Sequence, residues 1–428
     1  MAEVRPFRGW RYNGDVSALI APPYDILDVE GKQALLEKSP DNIVGVDLPV
    51  VPASHEGPAE AYEAEGAKLA ALKDAGTLVQ DDAPALYAYS QTYTWAGVSH
   101  TRRALICGVR ATEFYDAIWP HEHTFAGPKA DRLKLTQVTR TQLSSIFGFF
   151  SDTGGASHAL WDAADRSDPV VEGELDGVVN RLWAVTDPAA VAAVREAMAD
   201  VPIFIADGHH RYTTTMNYGA ALRAAGEIDA DHEANFVLFT LVAMDDPGLL
   251  VLPTHRMISG ITDGYDCKAL VAETKDFMDW KAVAVDEGLT ADADSYLKKT
   301  FGPGAMAFLD AKREHAYIGR LSDSAAMADA APDECETWRG LDVAVLHRLL
   351  LERYVAPHVA GEAQPTYTAE GGEVLAALAD GRCQLAAMLQ GTPLAAVRDI
   401  ALARAIMPHK STYFYPKLAT GMVLKPLE

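Results

Sequence analysis

Only four cysteines occur in 428 residues, Cys107, Cys267, Cys335 and Cys383, and none is part of a C-x-x-C pair. That spacing excludes a zinc ribbon and a dense disulfide scaffold, so free thiols are expected. Long apolar runs are also missing. The longest, near Phe236 to Met244, falls far short of the ~20 residues a membrane-spanning helix needs, and Met1 to Pro6 shows no hydrophobic signal region. A cytoplasmic protein with no membrane partner is the expectation. Basic residues are outnumbered, 37 against 60 acids, leaving a net charge of −23. Such a field repels polyanions, and with no basic stripe or recognition-helix pattern, nucleic acid is not expected as a partner. Familiar catalytic signatures are absent as well. Gly31-Lys32 is followed by Gln33, which rules out the P-loop pattern, and no G-x-S-x-G elbow occurs. The G-x-G-x-x-A match from Gly302 to Ala307 contains Pro303 and reads as a turn. Neither an internal repeat nor a low-complexity tract interrupts the chain.

The chain is 49% hydrophobic and 23% charged, the composition of an ordinary globular protein, and its length favours two domains or one with a large insertion. Pro58 to Ala75, closed by Gly76, predicts a helix with a glycine cap. Tyr87, Tyr89, Gln91 and Tyr93 share one face of a strand. Gly97 turns the chain and Thr101 to Val109 returns, a hairpin. Asp187-Pro188 starts a helix as N-cap and first-turn proline, delivering the chain into a strand at Pro202. Asn235 to Met244 and Leu249 to Leu252 read as buried strands separated by an Asp246-Pro247-Gly248 turn. Ser322 to Asp333, rich in Ala and Asp, is expected to be a mobile surface segment. Helices are expected over Leu341 to Tyr354 and Gly372 to Leu378. Without a regular β-α rhythm the fold class is α+β, mixed sheets with surrounding helices. Three regions are expected: 1–155, 156–340, and a motif-bearing tail, 341–428, packing back on the site.

Five stretches carry candidate chemistry. The first is Asp207-Gly208-His209-His210-Arg211, where an apolar strand ends in an acid, a glycine and three potentially cationic side chains before a helix. Glycine permits a sharp turn, and amides at a helix start face an anion. Asp207 can bind a metal or accept a proton, and His209, His210 and Arg211 can hold phosphate oxygens. The plainer reading of these residues is a helix cap with solvent-facing histidines. The second, His121-Glu122-His123-Thr124 with Asp131-Arg132, suggests metal binding or an acid and base pair. It is not H-E-x-x-H, since Phe125 occupies the required histidine position. A self-bonded polar loop is its bland alternative. The third, Thr254-His255-Arg256, follows a strand, and the fourth, from Met407 to Leu418, places Lys410 and Lys417 among aromatics. A surface His-Arg pair and an apolar C-terminal clamp are the respective alternatives. Asp25, after Ala21-Pro22-Pro23-Tyr24, is either a ligand residue or turn chemistry.

The combination APPYD, PHEHT with DR, ADGHHRY, LPTHR and KSTYFYPKLATG, running from Phe7 to about Val423, resembles a family filed as domain of unknown function 1015. Asp207 to Arg211 also looks like the D-G-H-H-R signature of free-serine kinases of the ParB and sulfiredoxin-like superfamily. That resemblance implies a ParB/sulfiredoxin-like element around residues 200–260, a turn that holds donor phosphates, and phosphorylation of a free hydroxy amino acid, L-serine, from pyrophosphate or a nucleotide.

Phosphoryl transfer requires charge neutralisation on the donor and a base for the acceptor proton. On this reading Glu122, Asp207 and His210 are catalytic. His209, His210, Arg211, Arg256, Lys410 and Lys417 bind phosphate. Asp25, His121, Thr124, Arg132 and His255 bind substrate. Mg²⁺ is expected as cofactor through Asp207 or a carboxylate such as Asp25, and the protein is expected to form a homodimer. The alternatives are a metal-dependent hydrolase built from His121, His123, His209 and His210, and a non-catalytic protein that senses a phosphorylated metabolite or nucleotide.

Overall fold

The computed structural model describes residues 2–53, 55–124, 126–262, 264–361 and 365–428, so Met1 and Phe125 lie outside the described residues. The chain divides into two compact units. The first joins Met1–Leu249 to Pro416–Glu428, and the second is Leu250–Tyr415. The expected divisions near residues 155 and 340 fall inside the first and the second unit respectively. Strands and helices are mixed in both, an α+β protein.

In the first unit, α1 (Ala59–Asp74) ends as expected, with Gly76 at φ +73 just beyond its cap. Strands β1 (Leu86–Trp95) and β2 (Val98–Arg110) pair antiparallel through Ala96 and Gly97, at φ 47 and 78. Two consecutive left-handed residues match the twist of a hairpin, and glycine adopts that conformation without strain. Next come α2 (Ala126–Thr139), β3 (Ile146–Phe150), α3 (Ala156–Ala164), β4 (Val171–Leu175) and β5 (Val178–Val185). Helix α4 (Pro188–Met198) is capped by Asp187, whose carboxylate accepts from the Ala190 amide. It leads into β6 (Ile203–Asp207), α5 (His209–Ala224) and β7 (Phe236–Ala243).

These strands form a ten-stranded sheet ordered Gly14–Asp15, β4, β5, β1, β2, β7, β3, β6, Ile118–Trp119, with Val4–Arg5 also on β2. Strand β3 runs parallel to β7 and antiparallel to β6. The β3/β6 register slips by one residue between Ile205 and Asp207, so that Asp207 stands opposite Phe147. Such a bulge re-aims a side chain at a strand end. Leu105, Cys107, Val109, Ile146, Ile203, Ile205, Val237 and Phe239 pack with Val194 and Met198 of α4 and with Tyr212 of α5. Burying a large apolar side chain is worth roughly 1.5–3 kcal/mol, which holds the start of α5 against the sheet. The tail is tied to the same unit: Lys425–Pro426 pairs with Thr141–Gln142, and Leu424 bridges to Trp10.

The second unit is built on an antiparallel six-stranded sheet ordered Met278–Val283, Ala316–Leu321, Met306–Asp310, Leu385–Met388, His255–Ile258, Thr366–Thr368. A two-stranded ladder joins Leu250–Leu252 to Tyr413–Tyr415. The stretch expected to be mobile contains a helix, Ala325–Ala330, anchored by buried Met327. Over Leu341 to Tyr354 the structure has Asp342–Ala344 running into a π-helix, Val345–Val355, a wider winding than expected. Among the described residues all four cysteines are free thiols, and no helix is long and apolar enough to cross a membrane.

Candidate functional site

The site begins where β6 ends. Gly208 adopts φ +99, and a Cβ there would lie 2.9–3.0 Å from the Arg211 guanidinium. The left-handed turn favours glycine, and a side chain there would also push against the guanidinium folded over it. Arg211 bends back so that Nη2 lies 3.6 Å from Asp207 Oδ1, while Nη1 donates to the Ser145 carbonyl. Lys417, from the tail, donates through Nζ to Asp207 Oδ2 at 2.7 Å. Burial by itself raises the Asp207 carboxyl pKa. The charges of Lys417 and Arg211 outweigh it and hold the group well below the usual carboxylate range. Helix α5 is 16 residues long and starts without a side-chain cap, so the dipole and first-turn amides of His209 to Arg211 favour an anion there.

His209 is buried, and its Nε2 accepts the backbone N–H of His121 at 3.2 Å. An accepting Nε2 leaves the proton on Nδ1, which lies 3.9 Å from Glu122 Oε2. The His121 and His209 rings meet edge to face at 4.8 Å. Burial, reinforced by His121, pushes the His209 pKa well below its ordinary value, and burial also lowers that of His121. His209 therefore enters the site as a neutral imidazole. His210 is half-buried, and burial lowers its pKa. The charges of Glu122 and Asp25 oppose that shift, and those of Lys129 and Arg211 add to it. Glu122 is partly exposed, Thr124 is half-buried, and His123 and Asp25 are exposed.

Arg132 points elsewhere. Its guanidinium is buried 3.2 Å from Asp47 Oδ1 and 2.6 Å from Asp131 Oδ2, with Cζ 3.9 Å above the Tyr24 ring. Asp131 in turn accepts from the Tyr62 hydroxyl at 2.7 Å. Burial raises the Asp47 pKa despite Arg132. Asp47, Arg132, Gln142, Arg211, Thr214 and Thr215 help to line a cavity of about 40 Å³. Arg132 thus braces the floor behind Arg211.

His255, Arg256 and Lys410 belong to the second unit. Arg256 is fully buried, bonding through Nε to His347 Nε2 at 3.1 Å and through Nη2 to the Lys410 carbonyl at 2.9 Å, while Nη1 holds the Thr254 carbonyl. Burial depresses its pKa to about 10. His255 is buried too and accepts from the Leu389 amide; its pKa is pushed down to about 3 by burial. Lys410 is exposed at φ +56. In place of a surface His-Arg pair, the unit contains an internal clamp that folds the loop around Lys410.

The Mg²⁺ expected on Asp207 finds both carboxylate oxygens turned toward cations. Among the described residues no three of His, Cys, Asp and Glu gather as ligands. The residues present do not form a Mg²⁺ site on Asp207. The four-histidine hydrolase set is not assembled either, since His209 Nε2 is occupied by the His121 amide. Residues that sequence reasoning missed are Tyr24, beneath both Arg132 and Arg211, Lys129 beside His210, and buried Asp47. Lys129 carried a signal, five residues after the end of the PHEHT run. Asp47 carried none.

A family model described as "Protein of unknown function (DUF1015)" matches residues 4–344. Among curated proteins nothing matches. Solved structures similar to this chain include a free serine kinase in complex with AMP, 12% identical, covering 73% of this chain and 86% of that one with a TM-score of 0.33. A conserved hypothetical protein from Pyrococcus furiosus is 14% identical, covers 75% and 95%, and has a TM-score of 0.34. SbnI with a C-terminal truncation, from Staphylococcus aureus, is 11% identical, covers 75% and 87%, and has a TM-score of 0.34.

Proposed function

We propose that this chain, which belongs to the DUF1015 family of proteins of unknown function, is a small-molecule kinase that moves a phosphoryl group from pyrophosphate or a nucleotide to a free hydroxy amino acid, L-serine. The observation that carries this reading is the joining of Lys417 to the Asp207 turn at the uncapped start of α5. A distant cation meets Arg211 and a row of backbone amides, which is what a phosphate chain asks of a protein.

In the proposed reaction the donor's terminal phosphoryl group lies against the first-turn amides, Arg211, His210 and Lys417. The serine hydroxyl oxygen attacks phosphorus in line with the bridging oxygen. The new O–P bond forms, the bridging P–O bond breaks, and phosphate or the shortened nucleotide leaves with the electron pair. Glu122 takes the hydroxyl proton. His209 directs Nδ1–H toward Glu122 and keeps that carboxylate turned inward. Asp207 acts on the donor through Lys417 and Arg211, which it orients. Asp25, His121 and Thr124 contribute to the acceptor side.

A phosphorus NMR screen of pyrophosphate, ADP and ATP with free L-serine tests the reading. Formation of phosphoserine from one donor is expected, with Glu122→Gln keeping donor binding and losing turnover. Binding of a donor with no transfer to any hydroxy amino acid overturns the kinase in favour of a sensor of phosphorylated metabolites.

A further inference from the structure

Residues 416–419, which bring Lys417 to the site, form neither helix nor strand. Side chains of the β1/β2 hairpin hold this segment. Arg102 Nη2 donates to the Pro416 carbonyl at 2.7 Å, and Gln91 Nε2 donates to the Lys417 carbonyl at 3.0 Å. Both side chains are buried.

The sheet register explains how they converge. Asn180 of β5 stands directly opposite Gln91 of β1, and Gln91 directly opposite Arg102 of β2, so three neighbouring strands present one continuous row. Asn180 Oδ1 accepts from Gln91 at 3.1 Å and from the Tyr89 hydroxyl at 2.6 Å. Gln91 Oε1 accepts from Arg102. Arg102 also lies over the Phe147 ring, Cζ 4.6 Å from its centre. Removing a guanidinium from water costs several kcal/mol, and an apolar side chain would fill the same space more cheaply. At one end of the row Asn180 Nδ2 donates to the Val178 carbonyl at 2.9 Å, and at the other Gln91 and Arg102 reach the carbonyls of Lys417 and Pro416.

We infer that Asn180, Gln91 and Arg102 form a positioning row that fixes the backbone from which Lys417 reaches Asp207, so that they set donor affinity without touching the donor. This rests on the reading of Lys417 as a donor clamp. With the segment released, the Lys417 ammonium has to be ordered again each time a donor binds, an entropic cost that appears as weaker binding.

Titration calorimetry of the full chain with inorganic pyrophosphate and with ADP tests the row. Lys417→Met is expected to weaken binding about tenfold, the loss of one charge-assisted contact. Arg102→Met and Gln91→Leu should each weaken it about fivefold. The double variant Arg102→Met/Lys417→Met should bind no more weakly than Lys417→Met alone, since Arg102 acts only through the lysine. Gln91→Leu, which removes no charge, keeps the test open if Arg102→Met fails to fold. Wild-type affinity in both row variants beside a weakened Lys417→Met, or losses that multiply in the double variant, overturns the row. Wild-type affinity in Lys417→Met overturns the donor reading itself.

Discussion

Replacing Lys417 by Met leaves the Asp207 carboxylate with Arg211 as its remaining charged neighbour at 3.6 Å. The two partners lie 2.7 Å apart, with side chains 21% and 20% exposed. Breaking a fully buried pair costs 3–5 kcal/mol and an exposed one is worth under about 1, so a pair one-fifth exposed is expected to cost about 2 kcal/mol. A double-mutant cycle of Lys417→Met with Asp207→Asn, read by urea unfolding at pH 7, should give a coupling energy of that size. The pH dependence supplies a second readout. The Asp207 carboxyl is held below its unfolded value near 3.9. Its stabilisation is therefore fully present above about pH 4 and is lost as pH falls further, toward the folded pKa. The gap between wild type and Lys417→Met should accordingly shrink below about pH 4. Strict additivity in the cycle, or a gap that persists into acid, would refute the pairing.

Gly208→Ala forces a side chain into φ +99 and against the Arg211 guanidinium. A loss of about 1–3 kcal/mol in thermal unfolding is expected, together with weaker pyrophosphate binding. Because burial lowers the pKa of His209, His121 and His210, the unfolded chain takes up protons near pH 6.5 that the folded one refuses. Stability should therefore fall as pH drops below about 6.5, and His209→Gln should flatten that slope in urea midpoints measured between pH 7.5 and 5. Arg256→Met strips donors from His347 and from the Thr254 and Lys410 carbonyls. A loss of about 3 kcal/mol is expected in urea unfolding, and a loss below about 1 would count against the clamp.

The parts legible in advance follow short-range rules. Ala96-Gly97 closes a hairpin because two left-handed residues match its twist, and Asp187-Pro188 opens a helix because one supplies an acceptor and the other needs no donor. The strand, glycine turn and helix around Asp207 were readable for the same reason. Partnerships set by long-range packing were not. Arg132 reads as a substrate ligand beside PHEHT, yet Asp47, distant in sequence, claims it. Arg256 reads as a phosphate ligand or half of a surface His-Arg pair, but it is buried on a strand flanked by two others and bonds to His347 of the π-helix. Ser322 to Asp333 has the composition of a mobile segment, yet it contains the helix Ala325–Ala330, with Met327 and Ala331 buried. The family resemblance raised in the sequence holds over residues 4–344.

The first unit takes its material from both sides of the second, so Asp207 and its lysine are separated in synthesis by the whole of Leu250–Tyr415. On the ribosome the glycine turn and Arg211 emerge long before the ammonium that balances them. A nascent chain halted anywhere in that interval carries an aspartate facing one cation instead of two. The charge balance of the Asp207 turn is thus completed late in translation, when Pro416–Glu428 joins the unit begun by Met1–Leu249.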